Sequence, residues 1–451
     1  MRLLFTALAC LFSVSVFGQG WVNTYAGDDE LYGNYAIENN NGGFICVGDV
    51  GPAGAFQDDA IIFATDVNGQ QQWSQIYDGR TFNCIQQTIN GGYIITGIYA
   101  ELYVYLLKID DTGQEQWSQA YDIGDPSSPN WNGGYAVQQT PDGGYIIVGG
   151  ADYISSFILK TDENGIEEWQ QFYGNTEERL VEPNLQQTTD GGYIITGRLQ
   201  AWNYASPFLL KTDENGVEEW MQNYNVEYGF GDSAEGYEPI YAPISGGYAS
   251  AVQQTSDGGY VFLARINDYY TYNPAPVEAL NYKICLIKTF QNGIEQWRKE
   301  YDLLTDDWPN NRPVDLDKTS DGGFIILTEG NTPAVIKTDG NGVEQWVYDY
   351  TFLGENEGFS SAKNTMDGGC IIAGSVSSET LPSLGDWSRE VLLIKTDSEG
   401  TLSSSFTIPT PSSRKLDKVV DALGREVNHT TNQILFHIYD DGSVEKKFVV
   451  E

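Results

Sequence analysis

Six Asp residues recur at the head of short turns, Asp66, Asp110, Asp162, Asp213, Asp339 and Asp397, and the equivalent seventh position is Phe290. Acids spaced by Asn and Gly are the raw material of calcium loops, which converge several oxygen ligands on one ion. Each copy offers only two or three acids, and one copy dispenses with its Asp altogether. A carboxylate that accepts backbone N–H bonds, followed by a glycine at positive φ, gives these residues a second use as a turn former. The turn reading is preferred here and for the recurrent Asp/Asn-Gly-Gly. Calcium stays as the one cofactor the acids could hold, and no other cofactor is expected.

Other chemistries fall away on residue type. Both histidines, His429 and His437, lie close to the C-terminus. The rest of the chain therefore lacks imidazole for a Ser-His-Asp or Cys-His site, or for zinc and copper. No glycine-rich loop leads into a helix as phosphate binding requires. Beyond the leader, Cys46, Cys84, Cys285 and Cys370 are too few for a disulfide framework, so buried free thiols are expected. A net charge of −39 repels nucleic acid and anionic lipid.

Carboxylate chemistry and plain binding remain. Long aromatic stretches interrupt the chain at 225–249, 265–282, 302–314 and 375–390. They and a shorter connection carry Trp202, Tyr228, Phe230, Tyr237, Tyr241, Tyr269, Tyr270, Tyr272 and Trp308, with Asp232, Glu235, Glu238 and Asp268 interleaved. Aromatic faces beside acids and amides suit sugar rings; packing of the loops onto the scaffold is the competing explanation. A glycoside hydrolase would need two carboxylates about 5–10 Å apart, which spacing along a chain cannot show, so no catalytic pair is assigned.

The scaffold that must position these loops is legible in a repeat. Gly-Gly followed by an apolar run recurs as GGFICVG (42–48), GGYIITG (91–97), GGYIIVG (143–149), GGYIITG (191–197), GGYVFLA (258–264), GGFIILT (322–328) and GGCIIAG (368–374). Each copy predicts four short strands joined by Asp-Gly or Asn-Gly hairpins. The middle strands are apolar throughout, so each sheet must be covered on both faces. Seven such sheets form an all-β, seven-bladed β-propeller. A Trp closes the plan of each unit at Trp73, Trp117, Trp169, Trp220, Trp297 and Trp346. The seventh unit lacks one, and the missing motif stands at the other end as WVNTY (21–25), starting with Trp21. The N-terminal strand is therefore expected to complete the last blade, leaving no open edge.

The run Asp213…Gly216…Trp220 resembles the tryptophan-docking repeat of quinoprotein-type propellers. It is also similar to the DGG–Trp propeller repeats of exported Bacteroidota proteins, over about residues 21–400. The turn is one residue shorter than the quinoprotein motif, and nothing in the sequence would hold a quinone. The resemblance implies the fold and not redox activity.

Residues 1–18 read as a secretory signal, with one Arg, an apolar run and small residues before the cleavage point. No other stretch is long and apolar enough to span a bilayer. The propeller is expected over 19–401, a Ser/Thr/Pro linker over 402–413, and a small β tail over 414–451. That tail holds six basic and seven acidic residues, so nearly all the negative charge belongs to the propeller. It resembles, in short form, the C-terminal sorting domain of type IX secretion through Asp421–Glu426, which includes Gly424 and Arg425, and through Gly442, Lys446 and Lys447. The resemblance implies the type IX machinery as a partner and an extracellular or surface location. The leading expectation is a binding or adhesion module for polysaccharide or surface proteins. The alternatives are a carboxylate-dependent glycan hydrolase or lyase and a structural surface-layer component.

Overall fold

The computed structural model describes residues 20–27, 29–51, 59–100, 102–123, 132–151, 155–201, 205–224, 247–267, 282–301, 311–330, 333–350, 357–381, 386–402, 416–421, 433–439 and 444–449. The chain divides into two compact units, Met1–Ser377 with Ser388–Ser404, and Ser378–Trp387 with Ser405–Glu451. Residues 1–18 lie outside the described residues.

The first unit consists of seven antiparallel four-stranded sheets. The strands of each blade are lettered A to D from the axis outwards. The A strands are Glu30–Glu38, Arg80–Gln87, Gly133–Gln139, Glu178–Gln187, Tyr248–Gln254, Arg312–Lys318 and Glu357–Asn364. The B strands begin at the residue after each Gly-Gly, the C strands of blades 3 to 7 end at or beside the recurrent Lys-Thr, and the D strands carry the Trp. B and C strands are buried almost throughout, as in Phe44–Gly51 and Ala205–Thr212. This explains why they read as unbroken apolar runs.

Blade 7 is assembled from both ends of the unit. Trp21–Tyr25 pairs antiparallel with the C strand of that blade, Trp21 opposite Lys395 and Tyr25 opposite Val391. The ring is closed by main-chain hydrogen bonds between residues far apart in sequence.

Neighbouring blades dock through one repeated contact. The Trp on strand D of each blade packs against the glycine of the next blade's C–D turn. A Cβ on Gly216 would lie 2.8 Å from the Trp169 ring, and one on Gly293 would lie 2.7 Å from Trp220. The same contact joins Trp21 to Gly69, Trp73 to Gly113, Trp117 to Gly165, Trp297 to Gly342 and Trp346 to Gly400. Glycine is required twice over, because φ is +75° at Gly216 and +79° at Gly293.

The aromatic after each Gly-Gly completes the socket. Trp117 meets Tyr145, Trp169 meets Tyr193 and Trp220 meets Tyr260, with ring centroids 5.7–6.2 Å apart. The tyrosine four residues after Trp then donates to the same glycine's carbonyl: Tyr173 to Gly216 at 2.5 Å, Tyr224 to Gly293 at 2.6 Å and Tyr301 to Gly342 at 2.9 Å. In blade 7 the aromatic is replaced by Cys370, and Trp346 packs on its own strand's Tyr348 instead.

The second unit contains a three-stranded antiparallel sheet of Leu416–Asp421, Gln433–Tyr439 and Val444–Val449. Lys446 and Lys447 lie on its last strand, opposite Phe436 and Leu435. Gly424, Arg425 and Gly442 lie outside the described residues. Among the described residues, no helix is long and apolar enough to cross a membrane.

Trp220 is largely but not fully buried, so Trp220→Ala is expected to cost about 3 kcal/mol, at the low end for a large aromatic. Gly293→Ala should cost a further-reaching ~2–3 kcal/mol, through strain at positive φ and displacement of the Trp220 ring. Urea unfolding of each variant measures both losses. A Gly293→Ala midpoint equal to wild type would remove the docking contact as a source of stability.

Candidate functional site

Two kinds of turn occupy one face of the ring, and the structure assigns their acids. In the C–D turns, one carboxylate oxygen accepts the N–H groups two and four residues on. Asp162 takes Asn164 and Ile166, Asp213 takes Asn215 and Val217, and Asp339 takes Asn341 and Val343, all at 2.8–2.9 Å. Asp66, Asp110 and Asp397 do the same. These acids act as turn formers.

The Asp of Asp-Gly-Gly has a further partner that the sequence reading missed. Its oxygens accept the following Gly N–H and the preceding Thr hydroxyl, as Asp142 does with Gly144 and Thr140. The buried Lys of strand C then reaches the same carboxylate. Lys160–Asp142, Lys211–Asp190, Lys288–Asp257, Lys337–Asp321 and Lys395–Asp367 are ion pairs of 2.8–3.0 Å. Blade 1 lacks both members together, with Ala64 for the Lys and Asn41 for the Asp. The signal was present in sequence, since Lys-Thr and Asp-Gly-Gly occur together in five units.

The axis carries the main cluster of titratable side chains. Strand A has no partner strand on its inner edge, so its inward N–H groups need acceptors from elsewhere. Side chains of adjacent blades supply them. Gln86 Oε1 accepts from Gln139 N at 2.6 Å, Gln138 from Gln187 N at 2.8 Å, and Gln186 from Gln254 N. In the opposite direction Gln139 Oε1 accepts from Ile89 N, and Gln254 Oε1 from Thr189 N. The recurrent Gln-Gln of IQQT, VQQT and LQQT is the sequence trace of this ring.

Between blades 6, 7 and 1 charged groups replace the glutamines. Asp317 Oδ2 accepts from Asn364 N at 2.8 Å, Asp315 Oδ2 from Ala362 N at 3.0 Å, and Glu38 Oε2 from Met366 N at 2.6 Å. Lys363 pairs with Asp315 at 2.8 Å, their side chains only 15% and 8% exposed, and its Nζ lies 4.9 Å from the Tyr35 ring centroid. Burial by itself would lower the Lys363 pKa, but Asp315, Tyr35 and Asp317 outweigh it and hold the ammonium well above the ordinary lysine range. Burial raises the Asp317 carboxyl, the Tyr35 phenol and the nearby Cys84 thiol. Asp49, beside the same inner strands, is pushed up to about 6 by burial against the bonds it accepts from Asn34 and Phe82 N.

Lys363, Cys84 and Tyr35 are not poised as nucleophiles. The lysine is kept protonated, and the thiol and phenol are kept neutral, whereas a nucleophile needs the reverse. The four cysteines Cys46, Cys84, Cys285 and Cys370 are buried. Among the described residues, no group of three or more His, Cys, Asp or Glu is placed to hold a metal ion. The aromatic set singled out for ligand binding, Trp202, Tyr228, Phe230, Tyr237, Tyr241, Tyr269, Tyr270, Tyr272 and Trp308, lies outside the described residues. The strands that anchor it are described. The described strands that flank these stretches end at the face opposite the A–B and C–D turns.

No protein-family model matches the chain, and no curated protein matches it. Solved structures similar to it include a protein of unknown function from Bacteroides caccae, at 12% identity and a TM-score of 0.41, covering 72% of this chain and 95% of that one. A protein of unknown function from Dyadobacter fermentans, at 11% identity and 0.41, covers 83% and 98%. YCF48 bound to D1 peptide, at 11% and 0.47, covers 83% and 96%. Likenesses this distant say nothing about function. The strand topology itself identifies the fold: the chain is a seven-bladed β-propeller.

Lys363→Ala should cost about 3–5 kcal/mol, because it strands the buried Asp315 carboxylate. Adding Asp315→Asn should recover part of that loss in urea unfolding. Acid sensitivity follows from the Asp-Gly-Gly pairs. Burial works against ionisation of Asp142, but Thr140 and Lys160 prevail; Thr255 and Lys288 act on Asp257, and Thr319 and Lys337 on Asp321. All three carboxyls are held at about 2. A depressed folded-state pKa contributes stability above the ordinary carboxylate pKa of about 4 and loses it as pH falls towards 2. Urea midpoints should therefore drop between pH 5 and pH 2, and drop less in the triple Asp→Asn variant of these positions.

Proposed function

We propose that this propeller is a binding module that takes its partner, a polysaccharide or a surface protein, at the face bearing the long connections. One observation carries the reading. On the tight-turn face, every blade repeats the same short turns closed by main-chain hydrogen bonds, and their Asp side chains act mainly as turn acceptors or as partners of the strand-C lysine. On the other face, the connections range from the single residue Gly79 between adjacent strands to residues 224–247. A rigid ring with one uniform face and one variable face suits recognition by loops on a fixed scaffold.

The aromatic and acidic composition of those loops favours carbohydrate, and the sequence of the two termini supports export through a cleaved leader and the type IX route. Nothing among the described residues favours turnover over binding, and calcium enters as a variable of the assay.

A glycan array probed with the chain from residue 19 onward, with and without calcium, tests the proposal. A specific signal that falls at least tenfold in Trp202→Ala and Tyr270→Ala, with an unchanged thermal midpoint, is the expected result. Cleavage of the bound glycan on incubation would replace the binding module with an enzyme. A blank array under both conditions would shift the partner to a protein and sink the carbohydrate assignment.

A further inference from the structure

The single blade that breaks the C–D turn pattern marks a second surface. Six blades place Asp at the head of this turn, and each carboxylate accepts two main-chain N–H bonds of 2.7–3.0 Å. Blade 5 has Phe290 instead. Asn292 recovers one of those bonds, accepting Ile294 N at 3.2 Å. The phenyl ring gains no burial in exchange, being 50% exposed.

Turn stability alone would keep the Asp. Ile89 and Met366, 88% and 71% exposed in A–B turns of this face, also lie outside any repeat, but neither replaces a turn-forming Asp. Ile166, Val217, Ile294 and Val343 are all 53–57% exposed directly after the turn glycine, so they belong to the repeat. Phe290 does not, and calls for a cause of its own.

Its surroundings supply one. Phe290 lines a depression of about 530 Å³ together with Asp257, Gly259, Gln291, Asn292, Ile294 and Gln296, a size within the ~300–1,000 Å³ range of small-molecule sites. Three amides and one carboxylate thus surround an exposed aromatic ring. The Asp257 carboxylate is held in place by Lys288 at 3.0 Å and by the Gly259 N–H, while its side chain remains 55% exposed.

We propose that this depression is a subsite for a neutral sugar unit. The C–H face of the sugar ring stacks on Phe290 and Ile294. Its hydroxyls are bonded by the amides of Gln291, Asn292 and Gln296, and by the remaining lone pair of Asp257 Oδ2, whose other bond is the ion pair with Lys288. Acidic sugars are disfavoured by that carboxylate and by the net charge of −39. Lys288, with a side chain 7% exposed, is spent on Asp257. The subsite lies on the tight-turn face and does not depend on the loop-borne residues of the opposite face.

The full chain, titrated calorimetrically with cellohexaose, xylohexaose, mannohexaose and laminarihexaose, and with polygalacturonate as the acidic control, tests this assignment. At least one neutral oligosaccharide should bind. Phe290→Asp restores the turn acceptor of the other six blades, so its thermal midpoint should equal or exceed wild type while affinity falls tenfold or more. Phe290→Tyr should keep the affinity, and Gln296→Ala should lower it several-fold. Phe290→Asp and Gln296→Ala should lower the affinity by the same factor whether Trp202 and Tyr270 are intact or both replaced by Ala, which separates this site from the loop-bearing face. The proposal is overturned if no neutral oligosaccharide binds, if polygalacturonate binds more tightly, or if both Phe290→Asp and Gln296→Ala bind within twofold of wild type.

Discussion

The ring depends on the docking of an indole onto a turn that has no side chain. Each four-stranded sheet is apolar on both faces and has no stable existence alone, so it must acquire two neighbours. The Trp of strand D meets the next blade where a glycine leaves room, and Tyr25, Tyr121, Tyr173, Tyr224 and Tyr301 fasten the same turn by their hydroxyls. Seven repetitions of one local contact produce a closed assembly. Its geometry is set by the least tolerant element, a positive-φ residue whose Cβ would occupy the space of the ring.

Once the blades are docked, their inner edges become the next problem. An A strand exposes a row of main-chain donors towards the axis. Glutamines on strands A satisfy part of that row between blades 2 and 5, each side chain serving the blade beside it. From blade 6 round to blade 1 the work passes to Asp315, Asp317 and Glu38, with Lys363 paired to Asp315. The charged stretch flanks the composite blade, where the two ends of the unit meet. Fixed charges with defined partners tolerate misregistration less than amides do, which suits the place where the ring must close in one register.

Much of this could be read from the sequence because it is periodic. The Gly-Gly runs mark the blades, the absent Trp of the seventh unit and the stray WVNTY mark the closure, and the Phe290 exception separates turn formers from ligands. The sequence does not display partners that meet only through the fold. Gln86 and Gln139, or Asp317 and Asn364, belong to different blades, and no local pattern links them. Lys160 and Asp142 are nearer, but their pairing is visible only once the C strand is known to end beside the A–B turn. Phe290 stood out by type, yet its exposure beside three amides belongs to the three-dimensional arrangement. The loop aromatics follow no period at all, so composition is the only guide to them.

The composite blade has a temporal consequence. The strand Trp21–Tyr25 is the first segment of the ring to be synthesised, and its partner around Lys395 is among the last. Until then it has no sheet to join. Blades 1 to 6 can each form from contiguous sequence as they are made, but the circle stays open with two bare flanks, however many blades are in place. Bringing the ends together costs little more entropy for a long chain than for a moderate one, yet it can happen only once. The molecule therefore has a defined moment of completion, and any machinery that must handle it unfinished has the whole interval before that moment in which to act.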